Sequence, residues 1–139
     1  LAVVNDSRMR DGRIDLGVHL VGGRHACAGG VAFGYRDPGH CFLMGIDALH
    51  ECLTLYEMRH GRRFKRLRKR YPVHRGRWYD IALRITALSV QIHLDGAPVM
   101  AYTGDDPITG LAGLWARDDT LAVFDGLTLM AGTRRELCV

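Results

Sequence analysis

Three histidine–cysteine neighbourhoods offer the first chemistry: His25-Ala26-Cys27, His40-Cys41 and His50-Glu51-Cys52. Imidazole and thiolate are ligands for zinc, and residues two apart on a strand share a face. No Cys-x-x-Cys and no His-Glu-x-x-His accompanies them, so the pattern points to incidental placement and predicts no metal site. Carboxylates offer a second chemistry. Glycoside hydrolysis needs two carboxyl groups across the scissile bond. Glu51, Glu57 and Glu136 do not fall at the Glu-x-Asp-x-x-Glu spacing that would line one groove from one strand. Asp47 is then a lone candidate acid or base, with Arg36 expected on its face to favour the charged form. The plainer reading of Asp47 is a solvated aspartate near a turn. Nucleophilic serine chemistry has little to draw on: only Ser7 and Ser89 exist, without Gly-x-Ser-x-Gly. Asp6, Asp118, Asp119 and Asp125 are oxygen donors of the kind a structural calcium ion takes, but no EF-hand loop holds them. The expectation is therefore no cofactor, with calcium as the minor alternative.

These residues must be positioned by strands. The chain has 139 residues, of which 47% are hydrophobic, enough for one domain with a core. The dominant period is two. Ile14, Leu16, Val18 and Leu20 alternate with polar or small residues, as do Ile81, Leu83 and Ile85, then Val90, Ile92 and Leu94. Leu121, Val123, Asp125, Leu127 and Leu129 read as one further alternating face. Asp37-Pro38-Gly39, Asp95-Gly96 and Gly104-Asp105-Asp106-Pro107 punctuate the runs as turns and a loop. This predicts an all-β antiparallel sandwich. No run approaches the roughly 18 apolar residues of a membrane-spanning helix.

Hairpin arithmetic sharpens the picture. A turn centred on Pro38–Gly39 places Gly34 opposite Leu43, and one centred on Leu49–His50 places Gly45 opposite Thr54 and Leu43 opposite Tyr56. Val31, Phe33, Tyr35, Phe42, Met44, Ile46, Leu53 and Leu55 then share a core face. The other face collects Ala32, Gly34, Arg36, Cys41, Leu43, Gly45, Asp47, Cys52, Thr54 and Tyr56. Small residues in its middle leave room for a ligand, unless a loop covers them. Cys41 and Cys52 lie about six residues apart on this ladder, roughly 20 Å at ~3.3 Å per residue, too far for a disulfide. Trp78 and Trp115 read as core anchors.

Charge is unevenly spread. The chain carries 19 basic and 15 acidic residues. Residues 59–77 hold ten Arg or Lys and no Asp or Glu, leaving nine basic and fifteen acidic elsewhere. In this segment Phe64, Leu67 and Tyr71 fall at helical spacing, but strands on both sides favour an irregular strand or long loop. A nucleic-acid binder, which would be basic throughout, is not what this distribution describes. An anionic partner for residues 59–77 is the alternative it leaves open.

Several segments together carry a resemblance. Gly22-Gly23, Ala28-Gly29-Gly30-Val31-Ala32-Phe33-Gly34-Tyr35-Arg36-Asp37-Pro38, Asp47-Ala48-Leu49 and Leu53-Thr54-Leu55-Tyr56 come first. Gly76-Arg77-Trp78-Tyr79, His93-Leu94-Asp95-Gly96, Gly113-Leu114-Trp115 and Phe124-Asp125-Gly126-Leu127 follow in order. Over residues 3–130 the chain resembles the concanavalin A-like, laminin G-like jelly rolls, and within them the bacterial 3-keto-disaccharide hydrolase-like domains. The resemblance implies two antiparallel sheets of six or seven strands, one concave, with carbohydrate recognition on or beside it. It also implies sugar hydrolysis in some members, a structural calcium in others, and a further leading strand that this chain, read as one domain over 1–139, lacks. Gly45 stands where that family carries Arg and Asp47 where it carries Asn, which weakens the polar pocket. The leading expectation is a non-catalytic saccharide-binding module using Arg36, Asp47, Thr54 and Tyr56. The alternatives are a glycosidase acting on 3-keto-sugar glycosides through Asp47, and a polyanion-binding module through residues 59–77. The family suggests an extracytoplasmic setting and four unpaired cysteines a reducing one, so the compartment is left open.

Overall fold

In the computed structural model, which describes residues 1–3 and 12–131, the alternating runs become eleven strands. They are β1 (Ala2–Val3), β2 (Gly12–Gly22), β3 (Ala28–Asp37), β4 (His40–Asp47), β5 (Cys52–Arg59) and β6 (Arg62–Arg70). Then come β7 (Trp78–Thr86), β8 (Ser89–Leu94), β9 (Ala97–Thr103), β10 (Leu111–Ala116) and β11 (Leu121–Ala131). A six-stranded sheet runs β1-β10-β3-β4-β5-β6 and a five-stranded sheet runs β11-β2-β7-β8-β9. Every neighbouring pair is antiparallel. The expected six or seven strands per sheet are thus six and five. Asp6, Ser7, Glu136 and Cys138 lie outside the described residues.

The core forms where the inner faces of the two sheets meet. Ile14, Leu16, Val18 and Leu20 of β2 and Tyr79, Ile81, Leu83 and Ile85 of β7 pack against Val31, Phe33, Met44, Ile46, Leu53 and Leu55. Each such side chain contributes roughly 1.5–3 kcal/mol by leaving water. The turns His60-Gly61 and Asp95-Gly96 both have positive φ at both residues (52° and 75°; 50° and 83°), the two-residue geometry that matches strand twist.

The β4–β5 register is the predicted one, with Gly45 opposite Thr54 and Leu43 opposite Tyr56. The β3–β4 register is not. Asp37 pairs with His40 as expected, but Phe33 then pairs with Phe42 and Ala32 with Leu43. Residues 34–36 bulge, with Gly34 at φ 57°, and the ladder slips by two.

Two more bulges correct readings of period. In β6, Lys65 pairs with Tyr56 and Leu67 with Leu55, so Arg66 is an extra residue. It brings Phe64 and Leu67 to one face of a strand three positions apart, which mimics helical spacing. The basic segment is therefore largely an irregular edge strand, the first of the two forms expected for it. In β11 the register shifts between Asp125 and Thr128. Ala122 and Phe124 pack on the core before the shift and Leu127 and Leu129 after it. Val123 and Asp125 point outward, so the expected single face of β11 is split.

Candidate functional site

Two outer faces and one rim offer recesses. The side chains that define the outer face of the six-stranded sheet follow from the pleat. Since Met44, Ile46, Leu53 and Leu55 point inward, Leu43, Gly45, Thr54 and Tyr56 point outward. On β10, Trp115 lies opposite Gly30, which lies opposite Gly45, and it too points outward. Its indole fills the space that the glycines leave: a Cβ added to Gly45 would stand 2.4 Å from Cζ2 of Trp115. Nε1–H of Trp115 donates to the carbonyl oxygen of Met44 at 2.9 Å. Trp115 is thus buried outside the inter-sheet core, not within it. The small residues make room for this ring and not for a ligand.

What remains open is a recess of about 400 Å³ beside the indole, lined by Leu43, Tyr56, Arg63, Trp115, Ala116, Arg117 and Asp118. The Tyr56 ring is only 6% exposed. The guanidinium carbon of Arg63 stands 4.8 Å from its centroid and that of Arg117 5.2 Å. Tyr56 therefore does not offer a bare stacking surface; it is the base on which two guanidinium groups rest. Arg63 arrives from β6 across from Met58, and Arg117 follows Trp115 at the end of β10, its N–H donating to the Ala28 carbonyl at 3.0 Å.

The other expected ligand residues are not gathered here. The β3 bulge carries Arg36 to the rim of the sandwich, where it lines a recess with His40, Arg59, Asp106 and Thr109. Asp47 lies at the opposite end of β4, seven residues from His40, or about 23 Å at ~3.3 Å per residue. Arg36 therefore does not stand beside Asp47. Asp47 is 6% exposed and closes the β4–β5 turn. Its Oδ1 accepts from the backbone N–H groups of Leu49 and His50 at 2.9 Å each, and its Oδ2 meets Nδ1 of His50 at 3.0 Å. A carboxylate so bonded holds the turn. Thr54 shares the outer face with Tyr56 but is buried.

Of the His–Cys neighbourhoods, His40–Cys41 lies apart, while Cys27, whose carbonyl accepts from the Ala48 N–H at 2.9 Å, and Cys52, opposite Asp47, share one end of the sheet. Cys27, Cys41 and Cys52 are free and buried, and burial pushes each thiol's pKa up. Cys41 pairs with Met58 and Cys52 with Asp47, so the two thiols are far apart along the ladder. Of the expected calcium donors, Asp119 accepts backbone N–H bonds from Arg24, His25 and Ala26 at 2.9–3.1 Å. The bonds from Arg24 and His25 hold its pKa below the ordinary range. It ties the β2–β3 connection and is not arranged as a cation donor. Asp125 sits on the five-stranded sheet opposite Gly17. Among the described residues no group of three His, Cys, Asp or Glu side chains is placed to hold a metal ion.

The largest of the outer-face recesses, about 880 Å³, lies on the five-stranded sheet and includes Arg13, Asp15, Trp78, Asp80, Arg84 and Asp125. Trp78 is 46% exposed there, because Tyr79 takes the inward position on β7. This corrects the reading of Trp78 as a core anchor. Size does not decide between the faces; preorganisation does. Arg13 and Asp15 neutralise each other at 2.9 Å, and Trp78 rests on Gly17 and His19 only at its edge of the recess. On the six-stranded face an anchored indole and a tyrosine clamped by two arginines give fixed donors. Sequence reasoning missed Arg63 because its segment, read as an irregular strand or long loop, was given no register against β5. It missed Arg117 because β10 had been given no partner strand; period two from Trp115 would have found it.

No protein-family model matches the sequence, and no curated protein matches it. Solved structures do. The carbohydrate binding module CBM66 from Bacillus subtilis is similar with a TM-score of 0.80 at 20% identity, covering 89% of this chain and 77% of that one. Galectin LEC-6 of Caenorhabditis elegans is similar with a TM-score of 0.67 at 11% identity, covering 91% and 88%. A xylan β-1,4-xylosidase from Bacillus halodurans C-125 matches over 83% of this chain but 26% of its own, with a TM-score of 0.61 and 13% identity. At such identities the likeness is one of fold. The chain has the fold of a jelly-roll β-sandwich.

Proposed function

We propose that the protein is a non-catalytic carbohydrate-binding module whose saccharide lies on the outer face of the six-stranded sheet, over the recess beside Trp115. The observation that carries this reading is the Arg63–Tyr56–Arg117 stack next to an anchored indole. Planar guanidinium groups held in place donate paired hydrogen bonds to hydroxyl or carboxylate oxygens, and the indole edge and Leu43 supply apolar contact for a sugar ring. The fold shared with a carbohydrate binding module and a galectin supports the same reading. The recess contains one carboxylate, Asp118. That is one short of the pair that hydrolysis of a glycosidic bond uses, and Asp47 is committed to its turn.

A glycan array tests this. The wild type is expected to be retained on a subset of glycans, and Arg117→Ala, which removes a half-buried head outside the inter-sheet core, is expected to lose that retention. Tyr56→Ala removes the base under both guanidinium groups and is expected to lose it too, with circular dichroism confirming the sandwich. Retention unchanged in both variants would overturn the placement. Turnover of a 3-keto-glucoside that vanishes in Asp47→Asn would overturn the non-catalytic reading.

A further inference from the structure

The pleat of β6 sorts the basic segment into two sets. Residues on the inner side and in the flanking turns have partners. Arg59 bonds Asp106, Arg66 meets Glu57 at 2.9 Å, and Lys69 donates to the Val99 carbonyl at 3.1 Å. Arg75 donates to the Gly23 carbonyl at 2.9 Å, Arg77 bonds Asp95 at 3.0 Å, and Arg62 stands over Phe64. The outward residues are Arg63, Lys65, Arg68 and Arg70, opposite Met58, Tyr56, Thr54 and Cys52. None of these four forms an ion pair among the described residues. Arg117 faces the same way from the end of β10, four strands across the sheet, and among the described residues it too forms no ion pair. Charged residues on an edge strand are a common guard against strand pairing, but Arg117 is on no edge strand, and its guanidinium converges with that of Arg63 on one ring.

Resting on the reading of this face as a saccharide site, we infer that the saccharide is anionic: a sulfated or carboxylated oligosaccharide. Its acidic groups meet the Arg63 and Arg117 guanidinium groups beside Tyr56, and the chain of the glycan follows the outward row of β6. Two rigid forks on one aromatic base suit a sulfate or carboxylate, which accept several hydrogen bonds in a plane or tripod. The row of unpaired cations continues at the ~6.6 Å two-residue repeat of a strand, which lets successive charged sugars each meet a cation. Asp118 is the one acid among the residues that line the recess.

The test uses the full chain and four probes of matched length: a heparin-derived hexasaccharide, a hexagalacturonate, a neutral cello-oligosaccharide and a single-stranded DNA. Binding is followed by calorimetry from 50 to 300 mM NaCl. The expected result is that at least one anionic saccharide binds ten-fold or more tighter than the neutral one, with affinity falling as salt rises. Arg63→Gln and Arg117→Gln are expected to weaken it roughly two- to fivefold each, the range of exposed ion pairs. Arg13→Gln with Arg84→Gln, which removes the same charge from the other sheet, is expected to leave it unchanged. Neutral and anionic saccharides binding equally, with no effect of Arg63→Gln, would overturn the anionic inference and leave the saccharide site standing. Failure of every saccharide to bind would overturn both. DNA binding as tightly as the glycans, with the same salt slope, would overturn a saccharide-selective site in favour of a plain polyanion contact. Equal loss in the Arg13/Arg84 variant would show that net charge, not this face, is read.

Discussion

Replacing Gly45 by alanine tests whether Trp115 fills the outer face as described. The added Cβ would stand 2.4 Å from Cζ2 and 3.0 Å from Cη2 of the indole, with the Gly29 carbonyl oxygen 3.3 Å away on another side. Restoring ordinary contact at ~3.5–4.0 Å moves the ring by more than about 1 Å. The Nε1–H bond to the Met44 carbonyl, now 2.9 Å, does not survive such a shift. Overpacking costs about 1–3 kcal/mol and the lost hydrogen bond about 1 kcal/mol, so Gly45→Ala is expected to cost about 2–4 kcal/mol. Trp115→Ala, which empties the space, is expected to cost about 3–5 kcal/mol. The double variant is the decisive one. With the indole gone the methyl has room, so the pair is expected to cost little more than Trp115→Ala alone, a coupling close to the whole Gly45→Ala cost of about 2–4 kcal/mol. Urea unfolding followed by far-ultraviolet circular dichroism reads all three without depending on tryptophan. A Gly45→Ala change within about 0.5 kcal/mol of wild type, or additive single costs, would refute the packing.

Three further outcomes follow from the same structure. Asp119→Asn is expected to lower the melting temperature at neutral pH. The native carboxylate is held below its ordinary pKa by amide hydrogens. Its stabilisation is therefore complete above the unfolded value of ~3.9 and is lost as pH falls through the depressed folded value. The melting profile from pH 2 to 7 should be flatter in the variant over that acid window, and superimposable profiles would contradict the clamp. Deleting Arg66 is expected to leave a folded sandwich with unchanged β content, because Lys65 and Leu67 then meet Tyr56 and Leu55 in a regular ladder; an unfolded product would show that the bulge is required. Cys27, Cys41 and Cys52, buried with raised pKa values, are expected to resist iodoacetamide in the native protein and to react in 6 M urea, as mapped by peptide mass spectrometry.

Much of the sandwich was legible because burial on one face writes period two directly into β2, β7 and β8. The β4–β5 register was equally legible, since Asp47 to Cys52 leaves only one turn that puts Met44, Ile46, Leu53 and Leu55 on one face. Bulges were not legible. An extra residue at Arg66 or Gly126 turns period two into a spacing of three, and nothing in the side-chain sequence of β6 marks it apart from a helical stripe. The site was less legible for a different reason. Arg36, Asp47, Thr54 and Tyr56 were grouped by parity along two hairpins, and parity alone does not show that a bulge re-aims Arg36 or that a turn consumes Asp47. Trp115 and Arg117 enter the face from β10, more than fifty residues along the chain from Tyr56, and only the pairing of β10 with β3 places them there.

Mapping a bound saccharide by nuclear magnetic resonance tests the central claim most directly. Isotope-labelled protein is titrated with the glycan best retained on the array, and backbone amide shifts are followed. The account predicts perturbations clustered at Tyr56, Arg63 and Trp115 to Asp118, absent in Arg117→Ala. Perturbations centred instead on Arg13, Trp78, Asp80 and Asp125 would place the ligand on the opposite sheet and contradict it.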